Sequence, residues 1–508
     1  MKQYDVIIIG TGSANIIADA ALRQGLRIAI IERGSFGGTC LNRGCIPTKV
    51  MVTAANAVRD IIHNQHIGIT ADHIQLDWHV MSQRLWKKVH ENAGIKIYYS
   101  QFPNIDIYEG TAAFSGPKEL TVTQHNGLTQ TLQGEKIFIG VGARTAIPII
   151  PGLEDAGYIT SETLFDKAYP KEPYKSLLII GGGPIGCEFA HVFSTAGTKV
   201  TLIQHNVRLL PKEDEDVSAF LLQQFQHAGI TVHLNQDTLS VHKEHGEKWL
   251  TCQDRTTGET LTVHAEEILI APGIRPMTDL LHLEHTTIRT DRRGYILTNE
   301  FLETSAEGIW ALGDVNGKAP FRHKANYEAE IIAHNLFSDN APEHWRWARY
   351  DLVPAVTYTY PEVAHVGLTE QQAVQAGYSI ETAYNHYSAS AKGYALGYEP
   401  GQDDDGFVKL VVDKKTKHIL GAHVIGPEAS ILVQPFINVL NCGSQTIQPI
   451  QPDIASPTAT YLRQLPLTRT LDPKSVYNLS ETMTPHPSLS EVTMWTRYYY
   501  EKNKQNSI

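Results

Sequence analysis

Twice in this chain a short apolar run stops at a glycine-rich turn and gives way to a helical pattern, and no other feature narrows the fold so far. In the first copy Tyr4-Asp5-Val6-Ile7-Ile8-Ile9 enters Gly10-Thr11-Gly12, and a helical stretch follows from Asn15 to Gln24. Glycines there allow a tight turn and close approach of a pyrophosphate to a helix N-terminus. A second apolar run, Arg27 to Ile31, ends in Glu32, twenty positions after Gly12. That is the distance at which an acidic side chain meets an adenosine ribose. Asn15 stands where a third small residue is usual, which predicts slightly wider helix-to-strand spacing. The second copy is complete: Leu177 to Ile180 leads into Gly181-Gly182-Gly183-Pro184-Ile185-Gly186, a helical pattern through Ala196 and a strand from Lys199 to Ile203.

Two such turns imply two nucleotide cofactors, a tightly held flavin at the first and a diffusible nicotinamide at the second. Directly after the first copy comes Gly37-Gly38-Thr39-Cys40-Leu41-Asn42-Arg43-Gly44-Cys45-Ile46-Pro47-Thr48-Lys49. Cys40 and Cys45, five positions apart at a helix entrance, can close a disulfide. Beside a cofactor that accepts hydride, such a pair can pass electrons between a thiol and a nucleotide. The positive end of the helix dipole lowers thiol pKa and favours a thiolate. The alternatives are an ordinary buried pair or half a metal site. No metal is expected, because no Cys-x-x-Cys or clustered histidine accompanies the pair. Cys187, Cys252 and Cys442 carry no motif and read as packing residues. The pairs His63/His66, His242/His245 and His282/His285 show no companion ligands and read as surface residues.

From Tyr4 to about Gly443, and again in the tail, the chain resembles the class I pyridine nucleotide–disulfide oxidoreductases, the family of dihydrolipoamide dehydrogenase, glutathione reductase, mycothione reductase and mercuric reductase. The resemblance rests on GGTCLNRGCIPTK at 37–49, GGGPIGCEFA at 181–190, APGIRP at 271–276, IWALGDV at 309–315, HKANYEA at 323–329, VPAVTYTYPEVAHVGLTE at 353–370 and HPSLSE at 486–491. It implies an α/β fold of two doubly wound Rossmann-like nucleotide-binding domains plus a C-terminal α+β dimerisation domain. Residues 1–150 and 274–345 would hold FAD, 151–273 NAD(P), and 346–508 the dimer interface, with an insertion at about 444–485. By the same resemblance Cys45 lies against the flavin as a charge-transfer thiolate, and Cys40 faces the substrate. Lys49 matches the lysine near flavin N5, Glu188 its ion-pair partner, Asp314 the ribityl ligand and Ala112 a backbone contact to the flavin nucleotide. His486 and Glu491 match an acid–base pair in which the histidine comes from the partner subunit and the glutamate orients it. Further cofactor contacts fall on Gly10, Gly12, Ser13, Glu32, Arg33, Gly38, Thr39, Gly142, Gly181, Gly183, Ile185, Gly186, Gln204, His205, Gly273 and Gly313.

With 508 residues and 42% hydrophobic content the chain can hold several cores. A net charge of −11 argues against nucleic acid or an anionic membrane as partner. No segment approaches the ~20 apolar residues of a membrane span. Five cysteines, an odd number, do not make a secreted disulfide framework, so a cytoplasmic protein is expected, and the family resemblance implies a homodimer. The stretch from Gly443 to His486 exceeds the connection found in relatives, and Pro449, Pro452 and Pro457 argue against one continuous helix. Arg43, between the cysteines, is read as meeting an anionic substrate or facing solvent. At the acidic position of the second fingerprint stands Gln204, followed by His205 where phosphate-binding relatives favour arginine; the reading favours NAD. The strings at 46–49 and 323–325 resemble dihydrolipoamide dehydrogenases, whereas those at 10–15 and 326–329 resemble mycothione reductases. The substrate is therefore read first as a dihydrolipoamide-like dithiol and second as a low-molecular-weight disulfide. A flavin-holding assembly subunit without catalysis is the third reading.

Overall fold

A computed structural model describes residues 1–339, 341–447, 469–481, 484, 486–497 and 499–500. These fall into two compact units: Met1–Asp60, Asp72–Pro211 and Phe225–Val353 make the first, and Ile61–Ala71, Lys212–Gln224 and the chain from Pro354 on make the second. No helix among the described residues is long and apolar enough to cross a membrane.

In the first unit β1 (Lys2–Ile9) pairs in parallel with β2 (Ile28–Glu32) on one side and with β5 (Thr129–Ile139) on the other. Two long strands lead away from this sheet. β3 (Ile105–Gly116) pairs with β2 through residues 105–109, then with β4 (Glu119–Gln124) through 110–116. β5 returns from β4 to β1, and Ile309–Ala311 adds in parallel beyond it. Alternation along β1 explains why its apolar run is nearly unbroken. Val6 and Ile8 pack against Ile17, Ala18 and Ala21 of α1 (Asn15–Arg23), whereas Ile7 and Ile9 face Val122, Leu132 and Ile137 on the opposite side. A parallel strand covered on both faces has no polar face to alternate with. Asn15 fastens the turn: its amide nitrogen donates to the Thr11 carbonyl at 2.9 Å. The tight contact falls one residue earlier, since a Cβ on Gly140 would lie 3.0 Å from the Ala14 Cβ.

A second parallel sheet of four strands has the order Glu267–Ile270, Ser176–Ile180, Lys199–Ile203, Thr231–His233. The three-stranded antiparallel sheet Gln236–Glu244, Glu247–Asp254 and Thr260–Ala265 shares its core, with Val241, Leu250 and Cys252 packed against Leu178, Ile180 and Ile268. The second unit is built on a five-stranded antiparallel sheet whose strand Phe407–Asp413 is buried along its whole length. Within it the Lys409 ammonium is met by the carboxylates of Asp214, Asp216 and Glu370, which hold its pKa above the ordinary lysine value against the effect of burial. Most of the insertion, with Pro449, Pro452 and Pro457, lies outside the described residues. At its base Gln445–Ile447 pairs antiparallel with Arg469–Leu471.

Three polar rungs join α3 (Cys45–His63) to the helix Pro184–Thr195. Lys49 Nζ donates to Glu188 Oε2 at 2.6 Å, and the His191 Nε2 edge meets Asn56 Oδ1 at 2.7 Å. Arg59 donates from Nε to Thr195 Oγ1 at 3.0 Å and from Nη2 to Ser194 Oγ at 3.2 Å. Positions 49, 56 and 59 share one helix face, as do 188, 191 and 195, so 3.6-residue periodicity alone sets the ladder. Burial and the Arg59 charge push the His191 pKa down to about 3, so the ring stays neutral and donates Nε2–H to Asn56. An unfolded His191 takes up a proton below pH ~6.5 while the folded one does not, so stability falls as pH drops from about 6.5 towards 3. His191→Gln, which keeps a donor but cannot titrate, should lose less thermal stability than the wild type between pH 7 and pH 4. Melting curves that shift in parallel would refute this.

Candidate active site

The first glycine turn and the cysteine string are one construction. Gly10 has φ +94°, and a Cβ there would lie 2.5 Å from the Gly140 carbonyl oxygen. Glu32 is aimed back at the turn: its Oε2 accepts from the Thr11 amide at 2.8 Å and hydroxyl at 2.7 Å, and its Oε1 from the Gly34 amide at 2.7 Å. Oε1, with one bond, keeps acceptor capacity for a ribose hydroxyl. Ser13 donates to Asn326 Oδ1 at 2.8 Å, and Arg33 reaches Met277 Sδ at 3.2 Å. Gly38, with φ +68°, lies so close to the turn that a Cβ would come within 2.9 Å of Gly12 Cα. Backbone-to-backbone contact thereby fixes Thr39 and Cys40 against the fingerprint.

The cysteines do not share the single helix entrance expected from their spacing. Cys40 lies in the short helix α2 (Gly38–Asn42), and Cys45 is the first residue of α3. The chain breaks at Arg43-Gly44, where a Cβ on Gly44 would press to 3.2 Å from the Thr39 carbonyl oxygen. Both cysteines are thiols in this structure. The Cys45 thiol donates to Cys40, and with the charges of Arg322 and Lys49 it brings the Cys40 pKa down to about 7. The same hydrogen bond, together with burial, raises Cys45 far above the usual thiol range. The two thiols are hydrogen-bonded to each other and titrate as a pair rather than singly. The Nη2 of Arg43 lies 3.1 Å from where a Gly34 Cβ would stand, at the end of β2 beside Glu32.

Gly313, with φ +76°, and Asp314 are held by groups that motif spacing alone did not single out. Buried Lys324 donates to the Gly313 carbonyl at 2.9 Å, to Asn316 Oδ1 at 2.9 Å and to Glu328 Oε2 at 3.2 Å. Glu328 in turn accepts from the Gly313 amide, the Asn316 side chain and the Tyr350 hydroxyl, each at 2.7 Å. Lysine and glutamate four apart on one helix were the available signal, and burial turns them into a clamp. Burial also raises the Asp314 pKa above the ordinary carboxylate value, against the pull of Lys324 and Arg322. Ala112 is buried in β3 opposite Val122, and Gly142, with φ +72°, lies in open space.

At the second turn Gly181 has φ +118°, and a Cβ there would reach 2.3 Å from the Ala271 carbonyl oxygen. Gly186 would place its Cβ on the Gly181 carbonyl, whereas Gly183 faces open space and Ile185 is exposed. Gly273, with φ +148°, lies beyond Glu267–Ile270. Gln204 is buried and turned into the glycine loop, where it accepts from the Gly182 amide at 3.0 Å and donates to the Arg208 carbonyl at 3.1 Å. The carboxylate at this strand end belongs to Asp237, 2.9 Å from His205 Nδ1. Neither α1 nor Pro184–Thr195 has a side-chain cap or an acidic residue in its first turn, which leaves the amides and the positive dipole end for phosphate. Both turns therefore fit a dinucleotide.

In the second unit His486 Nδ1 donates to Glu491 Oε1 at 2.6 Å. Glu491 is fully buried and also accepts from the Ser488 amide at 3.2 Å, while His486 is exposed and stacks on Trp495. Fixing the proton on Nδ1 leaves the Nε2 lone pair outward, as a general base requires. All three His-x-x-His pairs have an acidic companion, contrary to expectation: Glu244 lies near His242 and His245, while in two groups every donor lies within 4.8 Å of the others, Asp404 with His63 and His66, and Glu284 with His282 and His285. Long-range folding supplied both the distant Asp404 and the partial burial of His63.

Residues 4–349 match the family model described as pyridine nucleotide-disulphide oxidoreductase, and residues 353–461 match its dimerisation domain. A mycothione reductase of Mycobacterium tuberculosis is 34% identical over 453 residues, covering 87% of this chain and 94% of its own. A dihydrolipoyl dehydrogenase of Chlorobaculum parvum is 35% identical over 451 residues, covering 85% of this chain and 89% of its own. Among solved structures, the Cu(II) complex of the HOCl-induced flavoprotein disulfide reductase RclA from Escherichia coli aligns with a TM-score of 0.79 at 28% identity, over 98% of this chain and 99% of that one. Family members carry FAD and use NAD(P)H. The chain belongs to the pyridine nucleotide-disulphide oxidoreductases, as an FAD-dependent enzyme of the lipoamide dehydrogenase and mycothione reductase type.

Proposed function

We propose that this enzyme oxidises a dihydrolipoamide-like dithiol with NAD(P)+ and works as a homodimer. The observation that carries the reading is the Cys40–Cys45 pair, hydrogen-bonded to each other with the charges of Arg322 and Lys49 acting on Cys40. Residues 1–150 and 274–345 hold FAD, with Glu32 at the ribose, Asp314 at the ribityl chain and Lys49 at the ring. Residues 151–273 hold the nicotinamide nucleotide, and 346–508 form the subunit interface. Bound FAD supplies two-electron transfer between the cysteine pair and the nicotinamide.

In the oxidised enzyme the cysteines form a disulfide. His486 of one protomer takes a proton at Nε2 from a substrate thiol at the cysteines of the other. The substrate thiolate attacks Cys40 Sγ, a mixed disulfide forms, and Cys45 leaves as thiolate. The second substrate thiolate attacks the substrate sulfur of that mixed disulfide, closing the substrate disulfide and releasing Cys40. The substrate has lost two electrons and the cysteine pair has gained them. Glu491 holds the His486 ring and stabilises its protonated form. Asp237, in the strand Gln236–Glu244 and 2.9 Å from His205, supports NAD as the nucleotide by offering the acidic group that Gln204 does not.

A second reading, reduction of a low-molecular-weight disulfide, runs the same steps in reverse. The hydrogen bond from Ser13 to Asn326 favours it, because it joins the two strings shared with mycothione reductases.

Turnover of lipoamide, glutathione disulfide and mycothiol disulfide with NADH and NADPH separates the two readings: dominant lipoamide activity is expected, and a preference for either other disulfide would overturn it. Cys40→Ser and Cys45→Ser should each abolish turnover, and His486→Gln should lower kcat by at least about 100-fold. Serine at either position with full activity would refute the mechanism. Alkylation of Cys40 in the reduced enzyme should reach half its maximal rate near pH 7, since its pKa is brought down to about 7. Because a nearby cation favours the thiolate, Arg322→Ala should move that midpoint upward. An unmoved midpoint would exclude Arg322 from the site.

A further inference from the structure

Outside the redox centre, the described residues hold three groups whose donors lie close enough to share a metal ion. His282, Glu284 and His285 are fully exposed and neighbours in sequence, and nothing beyond them fixes their geometry. In the group of Glu213, His365 and His423, His365 Nδ1 already donates to Glu213 Oε2 at 2.7 Å, so a proton occupies the gap between those two donors. The third group is built differently. His63 closes α3, His66 follows within the turn Asn64–Ile67, and Asp404 comes from the loop before Phe407–Asp413.

The tautomer of His63 is fixed by its surroundings. Its Nε2 lies 3.1 Å from the Leu396 carbonyl, which only accepts, so Nε2 carries the hydrogen. The ring stacks on Tyr398 at 4.6 Å and on His66 at 5.1 Å between centroids. The other nitrogen, Nδ1, then points a lone pair at Asp404 Oδ2, 3.3 Å away. Two acceptors facing each other repel unless a cation lies between them. A proton there would draw nitrogen and oxygen to about 2.7–2.9 Å, as in other charge-assisted hydrogen bonds. Donors around a tetrahedral ion with bonds of about 2.0–2.1 Å stand roughly 3.3–3.4 Å apart. The observed gap has the second value.

The supporting shell is also in place. Leu396 fixes His63 in the way that backbone carbonyls orient metal-ligating imidazoles. The acidic loop is pinned on both sides of Asp404: Gln224 Nε2 donates to the Asp403 carbonyl at 2.6 Å, and Asp405 accepts from the Ser388 amide at 2.9 Å. Gly397, with φ +97°, brings the 396–398 backbone so near that a Cβ would stand 2.9 Å from His66 Cβ. His66 is exposed, and all three donor atoms lie within 4.8 Å of one another, so a turn of one free side chain completes the set.

We propose that His63, His66 and Asp404 bind one first-row divalent cation of the Zn2+ class, which clasps the end of α3 to the loop at 396–405. Two imidazoles and a carboxylate suit a borderline cation and leave a fourth position to water. No electron transfer is involved. The test uses the full-length FAD-loaded protein, with thiols blocked by iodoacetamide, dialysed against a chelator and titrated calorimetrically with Zn2+. One equivalent is expected to bind, with affinity lowered at least about tenfold in His66→Ala and in Asp404→Asn. A His282→Ala/His285→Ala variant should bind as the wild type does. Since His66 is exposed, its replacement leaves the packing intact, and Co2+ should give the visible band of tetrahedral coordination in the wild type but not in His66→Ala. No Zn2+ binding by the wild type would overturn the proposal, as would binding that survives both His66→Ala and Asp404→Asn. Either result would make the pair an ordinary ion pair.

Discussion

Helix α3 is the part on which the rest of the first unit depends, because its two ends are fixed by different forces. At the start, Gly38 of the preceding turn sits within van der Waals reach of Gly12, so the cysteine segment and the phosphate-type turn move as one body. Along its length, Lys49, Asn56 and Arg59 engage Glu188, His191, Ser194 and Thr195 on the helix that follows the second glycine turn. Helix packing by apolar contact alone tolerates sliding, whereas three polar rungs at fixed spacing set a register. The two nucleotide turns, one at each helix, are thereby held at a defined separation. Hydride transfer between two bound cofactors needs that constancy, since small misplacements cost large factors in rate.

Electrostatics at the cysteines depend on the same scaffold. Lys49 is both a rung of the ladder and one of the cations that lower the Cys40 pKa, so structure and reactivity share a side chain. Arg322, at the start of Arg322–Leu336, is placed by the clamp two residues on, where Lys324 and Glu328 hold the Gly313-Asp314 turn. That buried pair is satisfied at nearly every polar atom by Asn316, Tyr350 and main-chain groups. Removing either member would leave an unpaired charge in the interior, at a cost of about 3–5 kcal/mol.

Much of this was legible in advance for a local reason. Glycine turns, apolar runs and the Cys40/Cys45 and His486/Glu491 strings act over a few residues, and short-range spacing dictates their geometry. The Lys49 to Glu188 pair was legible only through family resemblance, since 139 positions separate the two residues. Arg322, Asp237, Tyr350 and Asp404 were missed because their partners come from distant segments, and a lone charged residue carries no periodicity to notice. Gln204 stands at the acidic position of the fingerprint, and only the fold shows that its amide is turned into the glycine loop.

By itself the sequence determined two nucleotide-type parallel strand sets, the proximity of Cys40 and Cys45, and the pairing of His486 with Glu491. It could do so because backbone conformation and helical or strand periodicity are local consequences of residue type. Tertiary structure alone decided which cations act on Cys40, what Gln204 and Arg43 face, and that His63 and His66 meet an aspartate more than 330 positions away. Those outcomes depend on distances between side chains and on burial, and both quantities exist only once the chain has closed on itself.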